Sequence, residues 1–227
     1  MDIRVIIPAF NEQNAVGLVV DEIPKDWVED IIVVDNGSND DTYEIAQQRG
    51  ATALKESRRG YGQACLKGME HIRKSEKAPD IVVFLDGDHS DYPSQLPSLV
   101  NPIINNKADL VIGSRSLGQK EKGSMTIQQI FGNWLATSLI KIFYGVTYTD
   151  LGPFRAVRYS SLLDIDMKDT NYGWTVEMQL KAAKLKLKTL DVPVDYRQRI
   201  GVSKVSGTLK GTILAGYKIL FTIFRYL

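Results

Sequence analysis

Two carboxylates and a glycine, Asp86-Gly87-Asp88, follow directly on Ile81-Val82-Val83-Phe84-Leu85. Those five apolar residues, mostly β-branched or aromatic, have the composition of a strand buried on both faces of a parallel sheet. Folding supplies no reason for two acids at its carboxyl end, which is where open α/β sheets bind ligands. Carboxylates at this spacing can hold a hard divalent cation such as Mg²⁺ or Mn²⁺, whose shell is completed by substrate phosphates when protein ligands are few. Two plainer readings compete. Asp-Gly-Asp can be a turn. A calcium loop of the D-x-D-x-D-G type is excluded, because Ser90 and Asp91 occupy its required positions.

Asp35 ends the apolar run Ile31–Val34 in the same manner, and Asn36-Gly37-Ser38 adds turn geometry with backbone donors. An acid after the second strand of such a sheet commonly binds a ribose or base edge. The alternative, a helix N-cap, falls more naturally to Asn39, Asp40 or Asp41. The loop after Ile7 lacks G-x-G-x-x-G, and Arg59-Gly60-Tyr61-Gly62 lacks the G-K-[ST] ending of a Walker loop. A nucleotide would therefore be held in some other way.

The elements that must position these residues follow a βαβ rhythm. Strands are predicted at Ile3–Ile7, Ile31–Val34, Ala51–Leu54, Ile81–Leu85 and Leu110–Gly113, with helices between them, which implies a parallel, doubly wound sheet. The loops that carry chemistry all follow strands, on one edge of that sheet. In the second half Ile127, Ile130, Phe131, Trp134, Leu135, Ser138 and Ile142 keep helical spacing, and the stripe is expected to face the core. A strand after Phe154, a helix from Trp174 to Leu185 and a strand at Thr189–Val194 complete the reading.

The bulk numbers fit one α/β domain. The chain has 227 residues, 44% of them hydrophobic and 24% charged, with no linker-like or repetitive tract. Cys65 is the single cysteine, so no disulfide framework exists and a reducing, cytoplasmic setting is expected. The chain enters a strand at once, so no leader peptide is expected. From Lys181 onward ten Lys or Arg face two acids, a bias that suits nucleic acid, an anionic membrane surface or a phosphorylated substrate. No nucleic-acid reading motif accompanies it, so nucleic acid is not expected. The segment Thr208–Leu227 is strongly apolar, with Lys210, Lys218 and Arg225 on one helical face. It reads as an amphipathic helix that packs on the 1–207 domain or lies in a membrane interface.

Taken together, Val5-Ile6-Ile7-Pro8-Ala9-Phe10-Asn11-Glu12, Ile32-Val33-Val34-Asp35-Asn36-Gly37-Ser38 with Thr42, Arg59-Gly60 with Gly62, and Phe84-Leu85-Asp86-Gly87-Asp88 resemble the family-2 glycosyltransferases of the GT-A fold. The resemblance spans nearly the whole chain and rests on four motifs in order. It implies inverting transfer of a hexose from a UDP- or GDP-sugar, with Asp88 on Mg²⁺ or Mn²⁺ and Asp86 near both ion and nucleotide. Pro8, Glu12 and Asp35 would line the nucleoside pocket, with Ala9, Asn11, Gly37, Ser38, Arg59, Gly60 and Gly87 from the same motifs beside the donor. The second half is most similar to the polyprenyl- or dolichyl-phosphate hexosyltransferase branch. There, the resemblance implies that Arg115 of Gly113-Ser114-Arg115, and Arg199 and Lys204 of the R-x-G-x-S-K loop, contact phosphates. It departs from that branch at Ser90, where a glutamine often assists the metal, and at Leu151-Gly152-Pro153-Phe154-Arg155 in place of S-G-F-R. The transmembrane hairpin found in many relatives is not expected here.

The acceptor decides whether a base is needed. A phosphate is already anionic near neutrality, whereas a hydroxyl requires a general base within hydrogen-bond reach. Glu177 is the candidate base, with Asp150 second. The plain alternative for Glu177 is a surface acid paired with Lys181 at i, i+4. Tyr172-Gly173-Trp174 can form a sugar-binding wall, or Trp174 can be core. Two further readings differ in class. A sugar-1-phosphate nucleotidyltransferase would need an early G-x-G-T-R loop, and a non-catalytic nucleotide-sugar binding module would have no use for the Asp pair.

Overall fold

Alternation along β1 (Ile3–Ala9) sends Ile6 to one face of a sheet and Ile3, Val5 and Ile7 to the other. β4 (Ile81–Phe84) repeats the pattern, with Val82 and Phe84 on the first face and Ile81 and Val83 on the second. Both faces of each strand are therefore buried, which is why these runs are almost uniformly apolar. The computed structural model describes residues 1–201 and 209–227, the side chains of 209–213 and 215 excepted.

The remaining strands are β2 (Asp30–Asp35), β3 (Thr52–Lys55), β5 (Leu110–Ser114), β6 (Arg155–Arg158) and β7 (Thr189–Pro193). They form one sheet in the order β3-β2-β1-β4-β6-β5-β7. Every pairing is parallel except those of β6, which runs antiparallel to both β4 and β5. The carboxyl ends of the six other strands consequently lie on one edge. The first strand sits between β2 and β4, the point where connections leave in opposite directions and a ligand crevice opens.

Helices α1 (Val16–Glu22), α2 (Thr42–Gln48) and α4 (Leu96–Ile104) cover one face. The other carries α3 (Tyr61–Arg73), α5 (Ile127–Tyr144), α6 (Tyr159–Ile165), α7 (Trp174–Lys184) and α8 (Leu209–Arg225). This is the doubly wound, mostly parallel α/β sheet that the sequence rhythm predicts. Trp174 belongs to the core, edge-on to Phe84 at 5.7 Å between ring centres.

The expectation for α5 is overturned. Its helix forms, with a capping box at Thr126 and Gln129 and a left-handed Gly145 at its end. Its buried residues, however, are Ala136, Thr137 and Ile140. The apolar stripe points outward: Ile127 is 82% and Trp134 60% exposed, with Ile130, Phe131 and Ile142 beside them. Helical periodicity reports an apolar surrounding without saying which one, and here the protein's core is not it. Helix α8 packs on α5 and α7, burying Thr222 and Ile223. Tyr144 donates its hydroxyl to the Ile223 carbonyl at 3.1 Å, and Lys218 pairs with Asp169 at 3.0 Å. Leu214, Tyr217, Phe221 and Phe224 remain exposed. Packing on the domain, one of the two fates read from the sequence, thus describes one face of this helix. The side chain of Lys210 lies outside the described residues.

Candidate active site

The strand edge opens into a cavity of about 610 Å³ whose floor is made by the ends of β1 and β4. Pro8, Ala9 and Glu12 come from the first strand and its loop, Asp86, Gly87 and Asp88 from the fourth. Gly87 packs against Ala9 and Ile7, so any added side chain would crowd the two floors together. Arg59 is stacked over the Phe10 ring at 3.9 Å and stands at one side of the mouth. Gly60 follows with φ +144, and a Cβ there would stand 2.1 Å from the Thr170 carbonyl oxygen. Only glycine lets the start of α3 approach that closely.

The two acids of the fourth strand's turn have different surroundings. Asp86 accepts from the Tyr61 hydroxyl at 3.0 Å. Burial first, and the charge of Asp88 second, push its pKa up to about 7. Asp88 accepts at Oδ1 from the backbone N–H and hydroxyl of Ser90, at 2.9 and 2.5 Å. Its Oδ2 lies 2.6 Å from Nη2 of Arg199, and the same nitrogen lies 3.5 Å from Glu12. Two crowded carboxylates at the cavity floor, one of them pushed toward protonation, form a hard-oxygen donor set that a divalent cation would relieve. No group of three or more His, Cys, Asp or Glu side chains able to hold a metal occurs among the described residues. An ion held here would complete its shell with ligand oxygens and water.

Arg115 forms the opposite wall. Its Nε and Nη2 donate to Asp150 at 2.8 and 2.6 Å, and its backbone N–H donates to the same carboxylate at 2.8 Å. Burial works against both charges, yet each partner holds the other ionised. Arg115 lies above its usual range and Asp150 below its own. The guanidinium also stands over Tyr196 at 5.1 Å. Behind it Arg155 is fully buried, with Nε donating to the Gly152 carbonyl at 3.1 Å and Nη1 to the Thr175 carbonyl at 3.0 Å. It braces the turn that carries Asp150.

Comparison with known proteins assigns the family. Residues 4–165 match the model described as glycosyl transferase family 2. The chain is a family-2 glycosyltransferase. It is 30% identical to the undecaprenyl-phosphate mannosyltransferase of Micrococcus luteus, over 93% of this chain and 90% of that one. It is also 30% identical to the UDP-N-acetylglucosamine–dolichyl-phosphate N-acetylglucosaminyltransferase of Methanococcus voltae, over 97% and 94%. Glucosyl-3-phosphoglycerate synthase of Mycobacterium tuberculosis, solved with Mn²⁺, UDP-glucose and phosphoglyceric acid, superposes with a TM-score of 0.78 at 22% identity. That match covers 99% of this chain and 79% of the other. The fold is that of the GT-A glycosyltransferases.

The glycosyltransferase brings most of the predicted residues to one cavity. Pro8, Ala9, Glu12, Arg59, Gly60, Asp86, Gly87, Asp88, Arg115 and Arg199 all line it. Asn11, Asp35, Gly37 and Ser38 stand one layer behind. The Asp35 carboxylate accepts from the Ser38 N–H at 3.0 Å, and the Asn11 N–H donates to the Ser38 hydroxyl at 2.8 Å. These residues knit the first two strand loops together. Asn36 does line the cavity, with its amide accepting from Gly60 N–H at 2.7 Å and donating to the Arg58 carbonyl at 2.7 Å. An asparagine in a turn signals local hydrogen bonding, and no sequence cue said that these bonds close over the pocket. Tyr61 and Tyr196 were likewise unread, whereas Tyr172 lines the cavity as expected. Ser203 and Lys204 lie outside the described residues.

Glu177 requires a correction. It is fully buried in α7, and its carboxylate accepts from the backbone N–H groups of Lys168 and Asp169 at 3.1 and 2.6 Å. Lys181 pairs with it at 2.8 Å. It lines no part of the cavity, and these donors make it a brace between α7 and the turn at 168 and 169. Asp150, the second candidate, lines no part of the cavity and is held by Arg115.

Proposed function

We propose that this glycosyltransferase moves a hexose, with inversion, from a UDP-sugar to a polyprenyl phosphate, using Mn²⁺ or Mg²⁺. The observation that carries this reading is the position of the acids in the cavity wall. They are Glu12, Asp86 and Asp88, at the floor with Arg199, and among the described residues no carboxylate lines the opposite wall. A hydroxyl acceptor approaching from there would find no base, whereas a phosphate oxygen needs none. The names of the relatives from Micrococcus luteus and Methanococcus voltae support a lipid phosphate acceptor. UDP and Mn²⁺ accompany the structural neighbour and support that donor.

In this reading Asp86 and Asp88 would hold the ion, which when bound would offset the negative charge of the diphosphate. Arg115, fixed by Asp150, holds a preset cation toward the phosphates at no reorganisation cost. The stacked Arg59 and Phe10 flank the nucleoside side, and Tyr172 stands on the sugar side. By resemblance, Lys204 and Arg199 would contact phosphates.

The lipid would reach the cavity across α5 and α8. Gln128 and Gly132 of α5 and Gly216 and Ile219 of α8 line the cavity mouth, and the exposed apolar residues of both helices continue outward from there. Phe143 and Phe224 meet edge-on at 5.8 Å, joining the two helices into one face. No helix among the described residues is long and apolar enough to cross a membrane. The proposed contact is therefore peripheral, at the cytoplasmic face, with aromatic side chains at the headgroup boundary.

The deciding experiment offers UDP- and GDP-hexoses with Mn²⁺ to a short polyprenyl phosphate in detergent, and separately to phosphoglyceric acid. Transfer to the lipid phosphate is expected. Transfer to the soluble acid alone would replace this reading with a hydroxyl-acceptor enzyme.

A further inference from the structure

Asp88 has its two oxygens divided between two kinds of partner. Oδ1 is taken by Ser90, from the same turn. Oδ2, facing the cavity, is left to Arg199 alone among the described residues, at 2.6 Å. The backbone under Arg199 is fastened to the same turn. Arg197 N–H donates to the Ser90 carbonyl at 2.9 Å, and Ile200 N–H to the Asp88 carbonyl at 3.0 Å. The Arg197 guanidinium adds bonds to the His89 and Asp91 carbonyls and to Glu22. The turn that presents the carboxylate thus also positions the guanidinium that neutralises it. Only the side chain of Arg199 has room to leave, because it borders the cavity and its Nε has no acceptor among the described residues.

A divalent ion bonds a carboxylate oxygen at about 2.0–2.2 Å. Sharing Oδ2 with a guanidinium at 2.6 Å would put two cations within a few ångströms in a partly dry site, and their repulsion favours displacement of one by the other. An ion arriving alone replaces a close ion pair and leaves Arg199, among the described residues, with only the more distant Glu12, at 3.5 Å. An ion arriving with a diphosphate brings the anion that the displaced guanidinium needs.

We propose that Arg199 is a placeholder cation on Asp88, exchanged for the divalent ion only when that ion arrives with the donor diphosphate, onto which the guanidinium then turns. The exchange makes metal and nucleotide bind as a unit and keeps the acids from capturing free metal. It rests on the metal-dependent reading of this site, and it goes beyond that reading by giving Arg199 two successive partners.

Mn²⁺ binding to the full chain, read from the electron paramagnetic resonance signal of the free ion, tests the exchange without turnover. For the unaltered chain, Mn²⁺ alone should bind weakly and UDP should tighten it strongly. Arg199→Ala and Arg199→Gln should each bind Mn²⁺ alone about tenfold tighter or more, the size expected when a charge-assisted hydrogen bond no longer competes. The tightening by UDP should shrink by a similar factor, and Arg199→Lys should fall between. The circular dichroism melt of each variant is compared with the parent, and the glutamine variant keeps the side chain's polar bulk if alanine unfolds. Unchanged or weaker Mn²⁺ binding in folded Arg199→Gln overturns the placeholder. Asp88→Asn separates the two ideas: if it still binds Mn²⁺–UDP like the parent, the metal site itself is wrong. If it loses that binding while Arg199→Gln gains none, the site stands and the exchange falls.

Discussion

The Tyr226 hydroxyl donates to the buried Glu177 carboxylate at 2.7 Å, tying the end of α8 to the first turn of α7. The same carboxylate holds two backbone N–H groups of the turn at 168 and 169, so three segments converge on one charge. Thr170 in that turn receives Gln63 N–H at 2.9 Å, which seats α3 beside the cavity. Glu177 therefore acts on the site only through the frame.

The consequence is a prediction about Glu177→Gln. An amide cannot satisfy Lys181, the two N–H donors and the tyrosine together, and a buried charged hydrogen-bond acceptor contributes about 1.5–3 kcal/mol. Urea unfolding should show a loss of about 2 kcal/mol. The kcat at saturating substrates should stay within a few-fold of the parent at a temperature where the variant is folded. A general base would instead cost roughly 10²–10⁴-fold. A stable variant with kcat reduced on that scale contradicts the bracing role.

A second prediction concerns the pair of Arg115 and Asp150. Removing the guanidinium should lower kcat/KM by about 10²-fold, the scale of one preset charge-stabilising donor. Asp150→Asn should give a similar loss, because the amide no longer fixes the fork of the arginine. The double variant should be little worse than either single one, since both remove the same function. Steady-state kinetics of the three variants decides it. If Asp150→Asn multiplies the loss of Arg115→Ala, the carboxylate has a role of its own.

Metal removal gives the third. Chelation by EDTA should abolish transfer, and Mn²⁺ or Mg²⁺ should restore it. Asp88→Ala should lose at least 10²-fold, and Asp88→Asn nearly as much, because the amide keeps the shape and forfeits the charge. Product release measured by nucleotide chromatography reads all four conditions. Full activity in EDTA removes the ion from the mechanism.

What the sequence disclosed and what it withheld divide along physical lines. The strands β1, β2 and β4 were legible because burial on both faces demands unbroken apolar runs, and the Asp86–Asp88 turn was legible because nothing in folding calls for acids there. The place of β6, antiparallel between β4 and β5, was not, since four residues of strand carry no mark of their neighbours. The contact of Arg199 with Asp88 was hidden for the same reason, being a long-range pairing of two charges that each read as solvated or ligand-bound. Glu177 reads as a candidate base, with a surface pair to Lys181 as the alternative. The pair forms, but the packing of α6, α7 and α8 buries it away from the cavity, which no local spacing signals. The stripe on α5 was read with the right period and the wrong surroundings.

That stripe yields the last prediction. Ile127, Phe131 and Trp134 on α5 and Tyr217, Phe221 and Phe224 on α8 are large apolar side chains, each of them exposed and several aromatic. An exposed apolar patch of this kind marks an interaction surface, and Gln128, Gly132, Gly216 and Ile219 of the same two helices line the cavity proposed to receive a lipid phosphate. Lys141 and Arg225 lie at its margin and are exposed, and each cation near an anionic leaflet adds about 1 kcal/mol. Vesicle sedimentation should therefore show binding that rises with anionic lipid and weakens with salt. Replacing Phe131 and Trp134 by Ser, or Tyr217 and Phe221 by Ser, should remove apolar area without touching the core, so the melting temperature should hold while vesicle binding falls about tenfold or more. Hydrolysis of the nucleotide sugar in solution should survive both changes, and transfer to vesicle-borne polyprenyl phosphate should fall with the binding. If the parent chain ignores vesicles at low salt, the face belongs to a protein partner or to a second copy, and analytical ultracentrifugation of the same variants would then show which.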